Sequence, residues 1–389
     1  MPRLPTSLVL RAHRISPLLP LLLRTCRDLR SSRNEFRWLR EHAVKTAESS
    51  GNPRRQGIGW RTILRQACEA RGRGKPLQYI LGTEYFGDGK IECEPGVLIP
   101  RWETAESVSY LAKRLFPDNG TSTLPRELGV LDLCTGTGCI PLHFHHAFNE
   151  SLRHTGMEGN SINLHLLGVD ISKKAVNLAR RNQRRLEHEY TGPNQFELSA
   201  LQRLQFIQAD VLKDDSGPTD TSIQALMDVL ESHAKQSGEA LRWDILISNP
   251  PYISPSSFNK SMSRSVRNFE PKLALVPPDV PGSTDLNAGD VFYPRLLAIA
   301  EEVSAKIVLF EVADLEQADR VANIANSTGL WDGIQIWRDV PAETPIELTR
   351  SGVKVLGHGN GRSVFCWRGE AAEWLGLERE ESGRAQSPM

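Results

Sequence analysis

The stretch Val130-Leu-Asp-Leu-Cys-Thr-Gly-Thr-Gly-Cys-Ile140 decides the fold, because an apolar run leads into a glycine-rich turn and then into a helical pattern. Gly136 and Gly138 would let a ligand approach the backbone N–H groups of this turn closely. Three positions after the second glycine stands Pro141. Proline suits the first turn of a helix but not the close helix–strand packing of the G-x-G-x-x-G fingerprint, which weakens an NAD-binding interpretation.

Strand-like runs alternate with helical stretches along most of the chain. The runs are Gly129–Leu133, Leu164–Val169, Leu204–Ile207, Trp243–Ile247 and Lys306–Phe310. Regular alternation of this kind predicts a mostly parallel sheet covered by helices on both faces, an α/β fold.

Acidic residues close two of these runs. Asp170 ends the run after the glycine-rich turn, where a carboxylate could accept hydrogen bonds from both hydroxyls of a ribose. Asp210 ends the following run and could accept from an adenine amine. Because Ser172 and Asp210 both precede possible helices, a helix N-cap is the alternative for these positions.

The segment Asn249-Pro250-Pro251-Tyr252 follows the apolar run Asp244–Ser248, so it is expected at the carboxyl end of the sheet, beside the glycine-rich turn. The Asn249 side-chain carbonyl and the Pro250 backbone carbonyl could together accept both N–H bonds of a planar NH2 group. Accepting these bonds favours the build-up of positive charge on the nitrogen during in-line displacement. Tyr252 would supply a face against the planar group. A simple turn after a strand is the alternative.

The chain before the sheet has a different character. Helical spacing runs from about Ile15 to Leu81, which suggests a small helical domain. From Glu84 to Leu98 the pattern indicates a hairpin, with Gly87-Asp-Gly89 as its turn.

Composition excludes several classes of protein. Basic and acidic residues balance at 47 each, so the total charge does not indicate a polyanionic partner. The six cysteines are dispersed without a C-x-x-C pair, which argues against a zinc cage and a disulfide framework. The apolar run Pro17–Leu23 is far shorter than the roughly 20 residues of a membrane-spanning helix, so no membrane association is expected.

With these residues assembled, the sequence resembles the HemK/PrmC-type protein-glutamine methyltransferases. The motifs that carry the resemblance cover most of 77 to 368, in the family's order: Pro76–Gly82 with Glu84–Gly87, Gly96–Arg101 with Glu103-Thr104, Asp132–Gly138, Asn249–Tyr252, Phe269–Pro271, Glu311-Val312 with Gln317, and Gly361–Val364. The resemblance implies a class I S-adenosylmethionine-dependent methyltransferase, with a Rossmann-like seven-stranded sheet whose last strand is antiparallel. The implied acceptor is the glutamine in the Gly-Gly-Gln motif of a peptide chain release factor.

The domain boundaries that follow are a candidate transit segment at 1–14, a helical substrate-docking domain at 15–82, a β-hairpin linker at 83–100, the methyltransferase domain at 101–368 and a disordered tail at 369–389. The first 27 residues carry five arginines and no acid, a composition typical of a mitochondrial transit peptide, although a basic first helix explains it as well. The helical domain resembles that of the organellar branch, so a mitochondrial location is preferred over a cytoplasmic one.

The resemblance also assigns roles by position. S-adenosylmethionine, with S-adenosylhomocysteine as its product, is expected at Asp132, Cys134, Thr135, Gly136, Thr137, Gly138, Asp170, Asp210, Val211 and Asn249. The catalytic and substrate-binding residues are Asn249, Pro250, Pro251 and Tyr252, with Arg101 also at the substrate. The sequence departs from the family at Cys134, Trp102 and Ala105, where glycine, proline and glutamate are usual. No metal is expected, no nucleic acid is required, and a monomer is expected.

Two other functions explain part of the pattern. Methyltransferases of the exocyclic amine of adenine in DNA or RNA use the same Asn-Pro-Pro-Tyr logic, because adenine also presents a planar NH2. A non-catalytic assembly protein on a methyltransferase fold is the second. Among lesser features, His143, His145 and His146 are interpreted as a helix surface without a nearby carboxylate, Arg180 to Arg185 as a solvated face, and Cys139 as a small buried residue.

Overall fold

The computed structural model describes residues 3–48, 59–117, 123–154, 162–190, 195–213, 223–237, 241–279 and 287–377. These residues divide into two compact units. The first comprises Met1–Glu84, Glu92–Ile99 and Asn259–Pro271, and the second comprises Tyr85–Ile91, Pro100–Phe258 and Lys272–Met389. No helix within the described ranges is long and apolar enough to cross a lipid bilayer.

The helices and strands of the described residues follow one another in this order: α1 (Thr6–Ile15), α2 (Leu19–Cys26), α3 (Leu29–Glu48), α4 (Trp60–Gly72), α5 (Leu77–Leu81), β1 (Thr83–Phe86), β2 (Gly89–Glu92), α6 (Trp102–Arg114), β3 (Glu127–Leu133), α7 (Cys139–His154), β4 (Asn163–Asp170), α8 (Lys173–Glu189), α9 (Gln195–Arg203), β5 (Gln205–Gln208), α10 (Leu226–Ser237), β6 (Ile245–Ser248), α11 (Pro255–Lys260), α12 (Arg264–Phe269), α13 (Phe292–Glu302), β7 (Ile307–Glu311), α14 (Leu315–Ser327), β8 (Gly333–Val340), β9 (Ile346–Leu348), β10 (Lys354–Leu356), β11 (His358–Trp367) and α15 (Ala371–Trp374).

The first unit is a helical bundle around Leu19, Leu22, Leu23, Leu39 and Ala43, all without solvent exposure. Helix α1 contributes the buried Ala12 to this cluster, so the residues proposed as a transit segment overlap a packed helix. The segment that contains α12 also belongs to this unit, where Phe269 packs against Tyr79, Cys93 and Ile99. The linear boundary at residue 101 therefore misplaces 259–271.

The hairpin is present but shorter than the sequence suggested. Strands β1 and β2 pair as a two-stranded sheet around the turn at Gly87, which has φ +55. The run Val97-Leu98-Ile99, expected to continue the hairpin, is irregular.

The second unit contains a nine-stranded sheet in the order β5-β4-β3-β6-β7-β11-β8-β10-β9. Strands β5, β4, β3, β6 and β7 are parallel, while β11 runs antiparallel to both β7 and β8. The first seven strands in this order give the predicted class I methyltransferase sheet, including its antiparallel last strand. The predicted count of seven strands is too low. The short strands β9 and β10, which lie between β8 and β11 in the sequence, extend the sheet beyond β8.

Apolar side chains on both faces of each central strand explain why the sheet is covered on both sides. In β3, Leu128 and Val130 join the core with α6 to α9 and α15, whereas Leu131 and Leu133 join the core with α10, α13 and α14. A continuously apolar strand of this kind is buried by helices on either face. Helices on both faces leave the carboxyl edge of the parallel strands for the loops.

The structure corrects the expected disordered tail. The tail begins later than expected, because α15 follows Gly369 and buries Ala371 and Trp374 in the core. Two polar segments also contain helix, since α7 continues to His154 and the segment 213–242 contains α10, whose Leu226 and Leu230 are buried. Residues 155–161, 214–222, 238–240 and 378–389 of these segments lie outside the described residues.

Candidate active site

The glycine-rich turn follows β3 directly and is held against the neighbouring strand. The N–H of Thr135 donates to the carbonyl of Val169 at 2.9 Å, and the N–H of Gly138 donates back to the carbonyl of Thr135 at 2.9 Å. Cys134, Gly136 and Gly138 have φ values of 65, 56 and 77. Cys134 thus occupies a left-handed conformation that glycine adopts without steric strain, at the position where the family usually has glycine.

Two glycines of this region are required by packing as well. A Cβ on Gly138 would lie 2.8 Å from the Phe206 ring and 2.9 Å from the Cβ of Ala179. A Cβ on Gly168, in β4, would lie 2.5 Å from the same ring. The sequence interpretation assigned Gly138 to ligand approach alone and gave no role to Gly168.

Several polar groups beneath the turn have no hydrogen-bond partner of ordinary geometry among the described residues. Both carboxylate oxygens of Asp132 and the hydroxyls of Thr135 and Thr137 are buried and unpaired. Burial raises the pKa of Asp132 well above its usual value, the nearby Thr135 hydroxyl partly offsets this rise, and the charge of Asp170 adds to it. Unpaired buried oxygens are rare in folded proteins, because each loses its bonds to water without replacement. The group is therefore arranged to accept donors from a ligand.

Neither acid at the strand ends caps a helix of the described ranges. Ser172 caps α8, since its side chain accepts from the N–H of Ala175. Asp170 accepts from the N–H groups of Gly136 and Ser172 at 2.9 and 2.8 Å, which ties the end of β4 to the glycine-rich turn. Asp210 accepts from the N–H of Leu212 at 2.9 Å, and the next residue, Val211, is buried.

The Asn249–Tyr252 segment begins one residue after β6. Ser248 is in register with Leu133 of β3 and with Phe310 of β7, so Asn249 lies at the level of Cys134 and Glu311. The Ser248 hydroxyl donates to the carbonyl of Leu133 at 2.8 Å and holds this edge together. The predicted meeting of the cofactor turn and the Asn-Pro-Pro-Tyr segment at one sheet edge is confirmed in register.

Side chains from three other elements fix this segment. Asn249 Nδ2 donates to the Thr104 hydroxyl at 3.4 Å, and the Tyr252 hydroxyl donates to Glu311 Oε1 at 3.0 Å. Gln317 Nε2 donates to the backbone carbonyl of Tyr252 at 3.2 Å. Burial raises the pKa of Tyr252, and the negative charge of Glu311 adds to the rise, while the positive charges of Arg362 and Arg101 oppose it. Arg101, predicted at the substrate, lies close enough for its charge to lower the pKa of Tyr252.

Glu311 and Thr104 have roles that the sequence alone did not reveal. Glu311 ends β7 and is 4% exposed, and it also accepts a short hydrogen bond from the Thr104 hydroxyl. Burial raises the pKa of Glu311, whereas the bonds from Thr104 and Tyr252 and the charge of Arg362 lower it. In the sequence, these two residues were marked only by the motifs Glu103-Thr104 and Glu311-Val312. Neither motif indicated that the two side chains would be in contact.

The histidines of α7 differ from their predicted role as a helix surface. His143 and His145 are buried, His143 against the Ser109 hydroxyl at 2.7 Å and His145 against the carbonyl of Glu197 at 2.8 Å. His146 is exposed, and one ligand atom each of His146, Asp88 and Glu150 lie within 4.8 Å of one another. The expectation that no carboxylate lies near these histidines is wrong. Cys139 is buried, as predicted.

Comparison with known proteins identifies the family. No family model matches the sequence. The chain is 34% identical over 279 residues to the mitochondrial MRF1 N(5)-glutamine methyltransferase MTQ1 of Saccharomyces cerevisiae, covering 71% of this chain and 68% of that protein. It is 32% identical to the probable Schizosaccharomyces pombe counterpart, covering 84% and 90%. The chain belongs to the N(5)-glutamine methyltransferase family.

More distant relatives and solved structures are also similar. The release factor glutamine methyltransferase of Chlorobaculum tepidum is 28% identical, covering 71% of this chain and 74% of that protein. The N-terminal domain of human METTL16 has a TM-score of 0.39 at 14% identity, covering 77% and 81%. Magnesium protoporphyrin IX methyltransferase from Synechocystis has a TM-score of 0.31 at 14% identity, covering 68% and 79%. Both scores are low, so the fold assignment depends on the strand order of this chain.

The residues present fit the S-adenosylmethionine of N(5)-glutamine methyltransferases. The two oxygens of Asp170 each accept one backbone N–H, and a carboxylate offers about four acceptor positions, so capacity remains for ribose hydroxyls. The oxygens of Asp132, Thr135 and Thr137 can accept further donors, and a positively charged ligand beside Asp132 would favour its ionised form.

Proposed function

We propose that this methyltransferase transfers a methyl group from S-adenosylmethionine to the side-chain amide of the glutamine in the Gly-Gly-Gln motif of a peptide chain release factor. Its curated relatives are named for glutamine methylation of MRF1 or of release factors. The observation that carries the proposal is the orientation of Asn249, whose Nδ2 is engaged by Thr104. This leaves Oδ1 as the atom that accepts from a substrate NH2 group.

The roles of the segment follow from what each group can accept. Asn249 Oδ1 and the Pro250 carbonyl accept the two N–H bonds of the glutamine amide, and Pro251 stiffens the backbone that holds them. The Tyr252 ring packs against the plane of the amide. Bound S-adenosylmethionine supplies an electrophilic methyl. The protein holds the nitrogen in line with it and stabilises the positive charge that the nitrogen gains.

The remaining assignments belong to the same proposal. S-adenosylmethionine is held by Asp132, by the turn Cys134–Gly138, by Asp170, Asp210 and Val211, and by Asn249, without a metal. Residues 15–82 dock the release factor, with Arg101 near the acceptor, and the protein acts as a monomer that needs no nucleic acid. A mitochondrial location is proposed because two of the relatives are named as mitochondrial enzymes and the first residues are rich in arginine.

The test is mass spectrometry of a mitochondrial-type release factor incubated with the protein and labelled S-adenosylmethionine. We expect one methyl group on the Gly-Gly-Gln glutamine. With Asn249→Ala the rate should fall by about 100-fold or more, because a preorganised polar contact to the transition state is lost. The variant should keep most of its thermal shift with S-adenosylmethionine, because the proposed cofactor residues from Asp132 to Val211 are unchanged. Label on an adenine-containing oligonucleotide instead would favour the adenine methyltransferase, and label on neither would contradict the proposed acceptor.

A further inference from the structure

A chain of hydrogen bonds runs from the Asn249 carboxamide into the protein. Asn249 Nδ2 lies 3.4 Å from Thr104 Oγ1, and the Thr104 hydroxyl donates to Glu311 Oε2. The Tyr252 hydroxyl donates to the other oxygen, Glu311 Oε1, at 3.0 Å. One carboxylate therefore anchors both polar side chains of the Asn-Pro-Pro-Tyr segment.

With Glu311 ionised, the donors in this chain can be arranged in one direction only. A threonine hydroxyl has a single hydrogen, and in Thr104 this hydrogen is given to the carboxylate. The hydroxyl oxygen can then only accept from Asn249, and the amide nitrogen is the only donor that Asn249 offers. If the carboxamide were flipped, Oδ1 would face the lone pairs of Thr104. The chain thus fixes which end of the Asn249 amide faces the acceptor position.

Packing and backbone contacts hold the anchor still. Thr104 and Glu311 are 6% and 4% exposed, so water cannot replace their mutual bond without entering the core. The carbonyl of Glu311 accepts from the Tyr293 hydroxyl at 2.8 Å. Gln317 Nε2 donates to the Tyr252 carbonyl, which fixes the backbone of the segment as well.

We propose that Thr104 and Glu311 are positioning residues that orient the Asn249 carboxamide through this hydrogen-bond chain and so restrict the acceptor to a planar NH2 group. With Oδ1 outward, the site accepts hydrogen bonds from an NH2 group and repels an acceptor oxygen such as that of a carboxylate. The proposal rests on the proposed function, since it assumes that Asn249 binds the substrate amide.

The variants are chosen to separate orientation from packing. Thr104→Val keeps the shape and removes the hydroxyl, whereas Thr104→Ser restores it. Glu311→Gln keeps the shape but cannot accept from two hydroxyls through equivalent oxygens. Ser107→Ala is the matched control, because Ser107 lies on the same helix and loses an equally buried hydroxyl bond, to Ser363 at 3.0 Å.

The first readout needs no substrate. In protein with 15N-labelled asparagine, the side-chain NH2 signal of Asn249 is identified by its loss in Asn249→Asp. We expect this signal to shift and its hydrogen exchange to accelerate in Thr104→Val and Glu311→Gln, and to stay in place in Ser107→Ala. An unshifted signal in both relay variants, or an equal shift in Ser107→Ala, would overturn the proposal.

The second readout is steady-state methylation of a Gly-Gly-Gln release factor. We expect kcat to fall on the order of 10- to 100-fold in Thr104→Val, because a misdirected group near the reaction centre has effects of this size, with little change in KM, and Thr104→Ser to recover most of the loss. Wild-type kcat in Thr104→Val would overturn the positioning role. If the wild-type protein methylates no release factor while the Asn249 signal responds as expected, the proposed function fails and the orientation stands.

Discussion

The two halves of the sheet edge differ in how their polar groups are satisfied. On the proposed cofactor half, formed by the ends of β3 and β4, the carboxyl group of Asp132 and the hydroxyls of Thr135 and Thr137 are buried without a hydrogen bond of ordinary geometry to any described residue. On the acceptor half, formed by the ends of β6 and β7, Asn249, Tyr252 and Glu311 are hydrogen-bonded to one another or through Thr104. We infer that a ligand completes the first half, whereas the second is already complete.

This difference assigns separate tasks to the two halves. Buried polar groups without partners destabilise the free protein. A ligand that forms hydrogen bonds with them removes this destabilisation, and the free energy gained contributes to its affinity. A network whose members are already paired returns little on binding but keeps its geometry before the substrate arrives. Changes in the cofactor half should therefore alter stability and affinity together, whereas changes in the acceptor half should alter turnover.

The largest expected effect tests how tightly the cofactor half is packed. Gly138→Ala places a methyl group 2.8 Å from Phe206 at φ +77, whereas Gly136→Ala meets no atom within 4 Å at φ +56. Left-handed strain costs about 1–2 kcal/mol and is common to both variants. Overpacking adds about 1–3 kcal/mol to Gly138→Ala alone. Chemical denaturation measures both. Equal stabilities would mean that the turn yields and that its packing does not define the site.

Asp132→Asn is expected to change both the stability of the free protein and its affinity for the cofactor. Because burial raises the pKa of Asp132 in the folded protein, the folded state holds this proton more tightly than the unfolded state. The corresponding stability is present below the usual aspartate pKa of about 4 and is lost as the pH rises through the folded pKa. The ligand-free wild type should therefore lose melting temperature relative to Asp132→Asn as the pH rises.

The same substitution should weaken S-adenosylmethionine binding. A lost hydrogen bond to a charged group contributes about 1.5–3 kcal/mol, or roughly tenfold to 100-fold in Kd. Isothermal titration calorimetry measures this loss of affinity, at a pH above the folded pKa of Asp132. A variant that is no more stable and binds as well as the wild type would show that Asp132 has partners of its own, and the contrast between the halves would be lost.

The sequence predicted the parts of this site that lie in continuous motifs. The mostly parallel sheet, the turn Cys134–Gly138 and the placement of Asn249 at the same edge follow from alternation and from the rule that parallel strands end together. The antiparallel last strand was implied by the family resemblance. The contact between Thr104 and Glu311 joins residues 207 positions apart, and no local pattern encodes which motifs will touch. The requirement for glycine at Gly168 was not predicted for the same reason, because it is the Phe206 ring that leaves no space for a side chain there.

Helix burial was also hidden from the sequence. His143 and His145 are polar residues on a helix that the sheet covers on one side, and their burial depends on partners from other elements, Ser109 and Glu197. Similarly, β9 and β10 are only three residues long and carry too little pattern to be recognised as strands. The sequence predicts elements well where periodicity is long and poorly where tertiary contacts decide.

The smallest effect on stability, and the sharpest test of the acceptor half, comes from Tyr252→Phe and Tyr293→Phe. Each variant keeps its ring and loses one hydroxyl bond to Glu311, Tyr252 to the carboxylate at 3.0 Å and Tyr293 to the backbone carbonyl at 2.8 Å. Each should lose about 1 kcal/mol of stability and neither should change the Kd of S-adenosylmethionine. Only Tyr252→Phe should lower kcat, by roughly tenfold, since a misplaced contact near the reacting nitrogen acts on the transition state. An equal loss of turnover in both would mean that rigidity of the whole β7 end, rather than the tie between Tyr252 and the carboxylate, sustains the reaction.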